Sequence, residues 1–141
     1  MIRKASAVWQ GDLKSGKGTM TAPSGVMTNA AYSFSTRFDD EAGTNPEELI
    51  APAHAGCFSM ALSAELGKAG RMPERIETTA SVTRETVDGK STITRSHLTV
   101  KARVPGADHA KSLEVANGAK AGCPVSLLLR AELTMEATLE G

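Results

Sequence analysis

The chain has 141 residues, of which 40% are hydrophobic, and its 16 basic side chains balance 16 acidic ones. That length suits one domain, 1–141, with a core that needs no disulfide or metal to hold it. The even charge excludes nucleic-acid recognition through a basic surface, and the absence of an apolar run of 18 or more residues argues against a membrane span.

The opening "MIRKASAVWQGD" lacks the apolar core of a signal peptide, so a cytoplasmic location is expected. "KASAVWQ" reads as a short strand and "GDLKSGKGT" as turn-rich. "AYSFSTRFDD" alternates, with Tyr32, Phe34, Thr36 and Phe38 on one face and Ser33, Ser35 and Arg37 on the other. Such alternation predicts a strand that leaves Arg37 off the core side.

A helix start follows in "GTNPEEL". Asn45 suits the N-cap, Pro46 the first helical position, and Glu48 the acid of a capping box. Pro52 then removes a backbone hydrogen bond at a cost of about 3 kcal/mol. A short helix ending near Ala51, with a restart at Pro52, is therefore expected. The second piece should run to about Gly70, where Gly67 and Gly70 offer C-terminal stops. It is small or apolar on all sides through Ala53, Ala55, Gly56, Ser59 and Ala61, with no charge until Glu65. A helix of that kind is a buried one, and a second copy of the chain is expected to cover part of it.

"RIETTASVTRETV" and "KSTITRSHLTVKARV" are strands joined at Asp88-Gly89, a strong hairpin signal. Asp108 can cap a helix running to about Gly122, Pro124 opens a short helix, and "AELTMEATLE" closes the chain as a strand. The order is that of an α+β fold, with helices gathered on a mainly antiparallel sheet.

Two cysteines stand 66 positions apart, matching neither a disulfide framework nor a paired metal or redox motif. Free cysteines are most often small buried packing groups. Cys123, just before Pro124, lies where a helix N-terminus favours a thiolate. Cys57 lies inside its helix and needs a nearby cation, for which Arg37 is the best candidate. His54, one turn before Cys57, leaves a Cys–His hydrolase pair open. A dimeric small-molecule binding protein with purely structural cysteines is the alternative from outside enzymology.

"GTNPEELIAPAHAGCFSMALSAELGKAG" and "VPGAD…AKAGCPVSLLLRAEL", together with "VWQGDLKSGKGT" and "STRF", resemble the signature regions of the osmotically inducible protein C (OsmC) family. They look closer to the OsmC branch than to the organic hydroperoxide resistance branch. The resemblance implies an intertwined homodimer whose mainly antiparallel sheets pack on central buried helices, with active sites at the subunit interface. It implies a thiol peroxidase acting on hydroperoxides in stress defence, and the apolar neighbourhood of Cys57 favours organic ones. Cys57 would be the peroxidatic cysteine and Cys123 the resolving one. Arg37 would stabilise the thiolate and polarise the peroxide, and Glu48 would hold the arginine. No flavin, haem or metal is implied, and an external dithiol of lipoyl or thioredoxin type would restore the thiols.

Overall fold

The computed structural model describes residues 1–141, in the order β1 (Ser6–Gln10), β2 (Lys17–Thr21), β3 (Ala30–Tyr32), α1 (Phe34–Phe38), α2 (Pro46–Lys68), β4 (Arg75–Val87), β5 (Lys90–Arg103), α3 (His109–Gly122), α4 (Pro124–Leu128) and β6 (Glu132–Glu140). The α+β class read from the sequence is the class observed. The chain divides into two compact units, Met1–Leu49 and Ile50–Gly141.

The first unit carries an antiparallel sheet in the order β1-β2-β3. Asp12 shapes the turn between β1 and β2, its Oδ1 accepting from the Ser15 N–H at 2.7 Å and the Ser15 hydroxyl at 2.8 Å, the local bond that makes aspartate a turn former. The register sets Gly18 opposite both Trp9 and Tyr32, whose rings lie 5.5 Å apart. A Cβ at Gly18 would overlap both rings, so glycine is what allows them to close over the sheet.

The strand expected across residues 31–40 ends at Tyr32, and α1 takes over. Ser33 and Thr36 cap it reciprocally: the Ser33 hydroxyl accepts from the Thr36 N–H, and Thr36 Oγ1 accepts from the Ser33 N–H at 2.8 Å. The aromatic spacing that suggested alternation equally suits a helix turn. Phe34 and Phe38 are four apart and stack at 4.7 Å between ring centres. Local capping decided between the two periods. Arg37 consequently sits on a helix, not a strand.

Helix α2 is also a correction. It runs unbroken through Pro52 for 23 residues. Proline strips a partner only from the carbonyl four residues earlier, here Glu48, and both residues are exposed, so water can satisfy that group. The ends follow the expected grammar. The Glu48 N–H donates to Asn45 Oδ1 at 2.8 Å, and Gly70 takes a positive φ of 76° while the Arg71 N–H returns to the Leu66 carbonyl.

In the second unit, β4 and β5 form a hairpin whose two-residue turn has Asp88 at φ 51° and Gly89 at φ 76°, the left-handed pair that matches strand twist. β6 lies parallel to β5, from Arg95 opposite Glu132 to Arg103 opposite Glu140. A parallel neighbour requires a crossover, and α3 and α4 provide it. One face of β5 buries Ser96, Leu98, Val100 and Ala102, and the last three join Phe58, Leu62 and Leu66 of α2 and Ala116 and Ala119 of α3 in one core.

By length and composition α2 could cross a membrane, its most apolar window having a mean hydropathy of 1.2, although no single apolar run suggested it. His54, Phe58, Leu62 and Leu66 form a stripe at four-residue spacing that is wholly buried in the core, the packing of a core helix. Only 22% of the apolar window is buried, however, and Met60 on the outer face is 78% exposed.

Candidate functional site

Cys123 occupies a junction. Pro124 forces the residue before it into extended backbone, and Cys123, at φ −67° and ψ 143°, ends α3 and caps α4. Its sulfur accepts from the Ser126 N–H at 3.4 Å and lies 3.0 Å from the Ser126 hydroxyl. Cys57, partly exposed on α2, packs against the core that contains Cys123. It lies near enough to Cys123 and to the Val125 N–H for both to act on its ionisation. The first turn of a helix leaves N–H groups without internal partners. In α4, the Ser126 N–H is aimed at the Cys123 sulfur.

The Cys57 thiol is pushed above its ordinary pKa. Burial is the largest cause, since it penalises the charged form. The Val125 N–H pulls the other way, while Cys123 adds to the rise. No cation is among these influences.

His54 is wholly buried. Its Nδ1 lies 2.7 Å from the Ser96 hydroxyl and its Nε2 2.8 Å from the Ser126 hydroxyl. Burial holds its pKa below the ordinary value. It bonds to neither cysteine directly, so the Cys–His hydrolase pair considered from the sequence is not formed. No group of three or more His, Cys, Asp and Glu residues that could hold a metal is present.

In the first unit, Arg37 pairs with Glu47. Nη2 donates to Oε1 at 2.8 Å, and Nε donates to Oε1 at 3.2 Å and Oε2 at 3.3 Å. Glu47 is buried at 9% exposure. Glu48, the expected partner, is exposed, and its backbone N–H is taken by Asn45. Glu47 therefore replaces Glu48 as the carboxylate that holds Arg37. Arg37 also borders an apolar cleft of about 260 Å³, lined by Trp9, Leu13, Tyr32, Phe34 and Phe38.

Of the residues singled out in the sequence, the fold brings Cys57 to Cys123 and sets Arg37 on the glutamate beside the expected one. Ser96 and Ser126 were missed. Ser126 carried a readable signal, three residues after a capping cysteine. Ser96 carried none, because only strand register puts it beneath His54.

A family model described as OsmC-like protein matches residues 38–138. Peroxiredoxin OsmC of Escherichia coli (strain K12) is 50% identical over 138 residues, covering 98% of this chain and 96% of that protein. Organic hydroperoxide resistance protein OhrB of Bacillus subtilis (strain 168) is 27% identical over 124 residues, covering 87% and 89%. Among solved structures, an OsmC-like protein from Mycoplasma pneumoniae matches with a TM-score of 0.75 at 14% identity, covering 100% of this chain and 99% of that one. The crystal structure of the Bacillus subtilis OhrB matches at 0.67 and 23% identity, covering 97% and 98%; both share the fold. With its family match spanning most of its length and half its residues shared with a full-length relative, this chain belongs to the OsmC family.

Proposed function

We propose that this protein is a two-cysteine peroxidase that reduces hydroperoxides to alcohols. The observation that carries the reading is that Cys57 packs against the core that holds Cys123, near enough for the second thiol to raise the pKa of the first, although the two are far apart in sequence. The Cys57 thiolate attacks the distal peroxide oxygen, the O–O bond breaks, and the alcohol leaves with a sulfenic acid on Cys57. The Cys123 sulfur then displaces hydroxide from Cys57, forming a disulfide and water. An external thiol reductant, of lipoyl or thioredoxin type, returns both cysteines to thiols in a cytoplasmic, reducing setting.

A thiol raised by burial needs a cation to ionise near neutral pH. Arg37 serves this purpose in the proposed mechanism, with Glu47 orienting its donors toward the thiolate and the departing oxygen. The apolar cleft beside Arg37 suits an alkyl substituent better than hydrogen peroxide. The working unit is a homodimer, assembled over the outer face of α2 whose apolar residues the single chain leaves open.

The test is free-thiol titration after one equivalent of cumene hydroperoxide, on the wild type and on Cys123→Ser. The wild type should lose both thiols, and the variant should hold a trappable sulfenic acid on Cys57. Two unreacted thiols in the folded, reduced wild type would sink the reading.

A further inference from the structure

The two-cysteine cycle assigns no work to His54, Ser96 or Ser126, yet these three are among the most deeply buried polar residues in the chain, at 0%, 0% and 4% exposure. A buried imidazole is commonly a satisfied core residue. This one is satisfied in a particular way. Its two ring nitrogens are held by hydroxyls at 2.7 and 2.8 Å, and the second hydroxyl lies 3.0 Å from the Cys123 sulfur. The groups form one file, Ser96, His54, Ser126 and Cys123, and Cys57 packs against the core that holds its end.

We infer that His54, acting through the Ser126 hydroxyl, takes the thiol proton of Cys123 as that sulfur attacks Cys57. The inference rests on the peroxidase reading and deepens it, assigning a positioned base to the resolving step. With Nδ1 protonated and donating to Ser96, Nε2 is left as an acceptor. Ser126 donates its O–H to Nε2, and its oxygen accepts from the Cys123 S–H. As the Cys123–Cys57 S–S bond forms, the thiol proton moves to Ser126 and the hydroxyl proton of Ser126 moves to His54. The Cys57 S–O bond breaks, hydroxide leaves with the electron pair, and the imidazolium proton returns through Ser126 to make water.

Two features fit this role. Cys123 is 1% exposed, so bulk water has little access to its proton and an internal acceptor is needed. No carboxylate backs His54; Ser96 offers only a hydroxyl. An imidazolium so placed has no counter-charge, and burial holds the pKa of His54 down, so the ring accepts the proton briefly and gives it back. That is the behaviour of a relay rather than a sink.

The test avoids peroxide. Adding 5,5′-dithiobis(2-nitrobenzoate) to reduced protein places a thionitrobenzoate on Cys57 and releases one equivalent. Attack by Cys123 on that sulfur then breaks the mixed disulfide and releases a second equivalent, in a first-order step independent of reagent concentration. His54→Gln should slow the second release by about a hundredfold, the low end of what a positioned base supplies. Ser126→Ala should slow it similarly, and Ser126→Thr, which keeps the hydroxyl, should recover most of the loss. In the unmodified protein the second release should be slower in D2O than in H2O at matched pD, a readout that needs no variant to fold. A folded His54→Gln protein that releases at the wild-type rate would overturn the inference, as would a wild-type rate no slower in D2O. If instead the wild type consumed no hydroperoxide but kept a His54-dependent second release, the peroxidase reading would fall and the relay would stand.

Discussion

Glu47 holds Arg37 through two of its nitrogens, at 2.8 Å from Nη2 and 3.2 Å from Nε, while keeping its own carboxylate almost out of solvent, at 11% side-chain exposure. The fork fixes the plane of the guanidinium as well as its position. In the proposed cycle, where this cation meets a thiolate and then an oxyanion, a fixed plane of donors serves better than charge alone.

Glu47→Gln should therefore lower kcat/KM for cumene hydroperoxide by about tenfold to a hundredfold, the equivalent of one charge-assisted hydrogen bond of about 1.5–3 kcal/mol. Glu48→Gln, on an exposed side chain next door, should stay close to wild type. Steady-state kinetics on the two variants side by side would check it. Equal losses would mean that the pairing with Glu47 does not carry the effect.

The Cys57 thiol is raised by burial first and by Cys123 in addition, with only the Val125 N–H opposing them. Cys123→Ala removes the competing sulfur and leaves the Val125 donor, so the Cys57 ionisation should move to lower pH. Thiolate absorbance at 240 nm against pH, or the pH profile of alkylation, reads the midpoint. An unchanged or higher midpoint in Cys123→Ala would contradict the assignment.

His54 contributes to acid sensitivity with a definite sign. Its folded pKa lies below the ordinary value, so above about pH 6.5 it is neutral in both folded and unfolded chains and contributes no pH dependence. As pH falls below that, the unfolded chain takes up a proton that the folded one refuses. Stability should then drop by up to about 1.4 kcal/mol per pH unit from this group. Urea unfolding between about pH 5 and 8 should show a shallower dependence of stability on pH for His54→Gln than for wild type. Identical slopes would show that His54 is not the group responsible.

Pro52 costs α2 a backbone bond while contributing an exposed ring. Pro52→Ala should raise stability, by up to about 3 kcal/mol, the interior proline penalty. Denaturant midpoints would measure it. A loss of stability would mean that the helix needs the proline, for instance where a second copy packs on it.

Much of this protein was legible residue by residue. Asn45-Pro46 at a helix start, Asp88-Gly89 in a hairpin, Asp108 as a cap and Cys123 before Pro124 each act through atoms a few positions apart, so their order along the chain determines the outcome. The motifs around the two cysteines likewise marked the OsmC family before any coordinates did.

Other features depended on competition or on distant partners. Phe34 to Phe38 fits two periods, and the Ser33–Thr36 caps chose the helix. Pro52 should break a helix by its local cost, but packing of His54, Phe58, Leu62 and Leu66 along one stripe supplies more than a single missing bond removes. Glu47 and Glu48 are chemically the same in sequence, yet successive helix positions point about 100° apart, so only the packing of α1 could select which one meets Arg37. The file from Ser96 to Cys123 draws on β5, α2 and α4 at once. Hydrogen bonds act over about 3 Å, and only the folded core brings residues separated by 42 and 72 positions within that range.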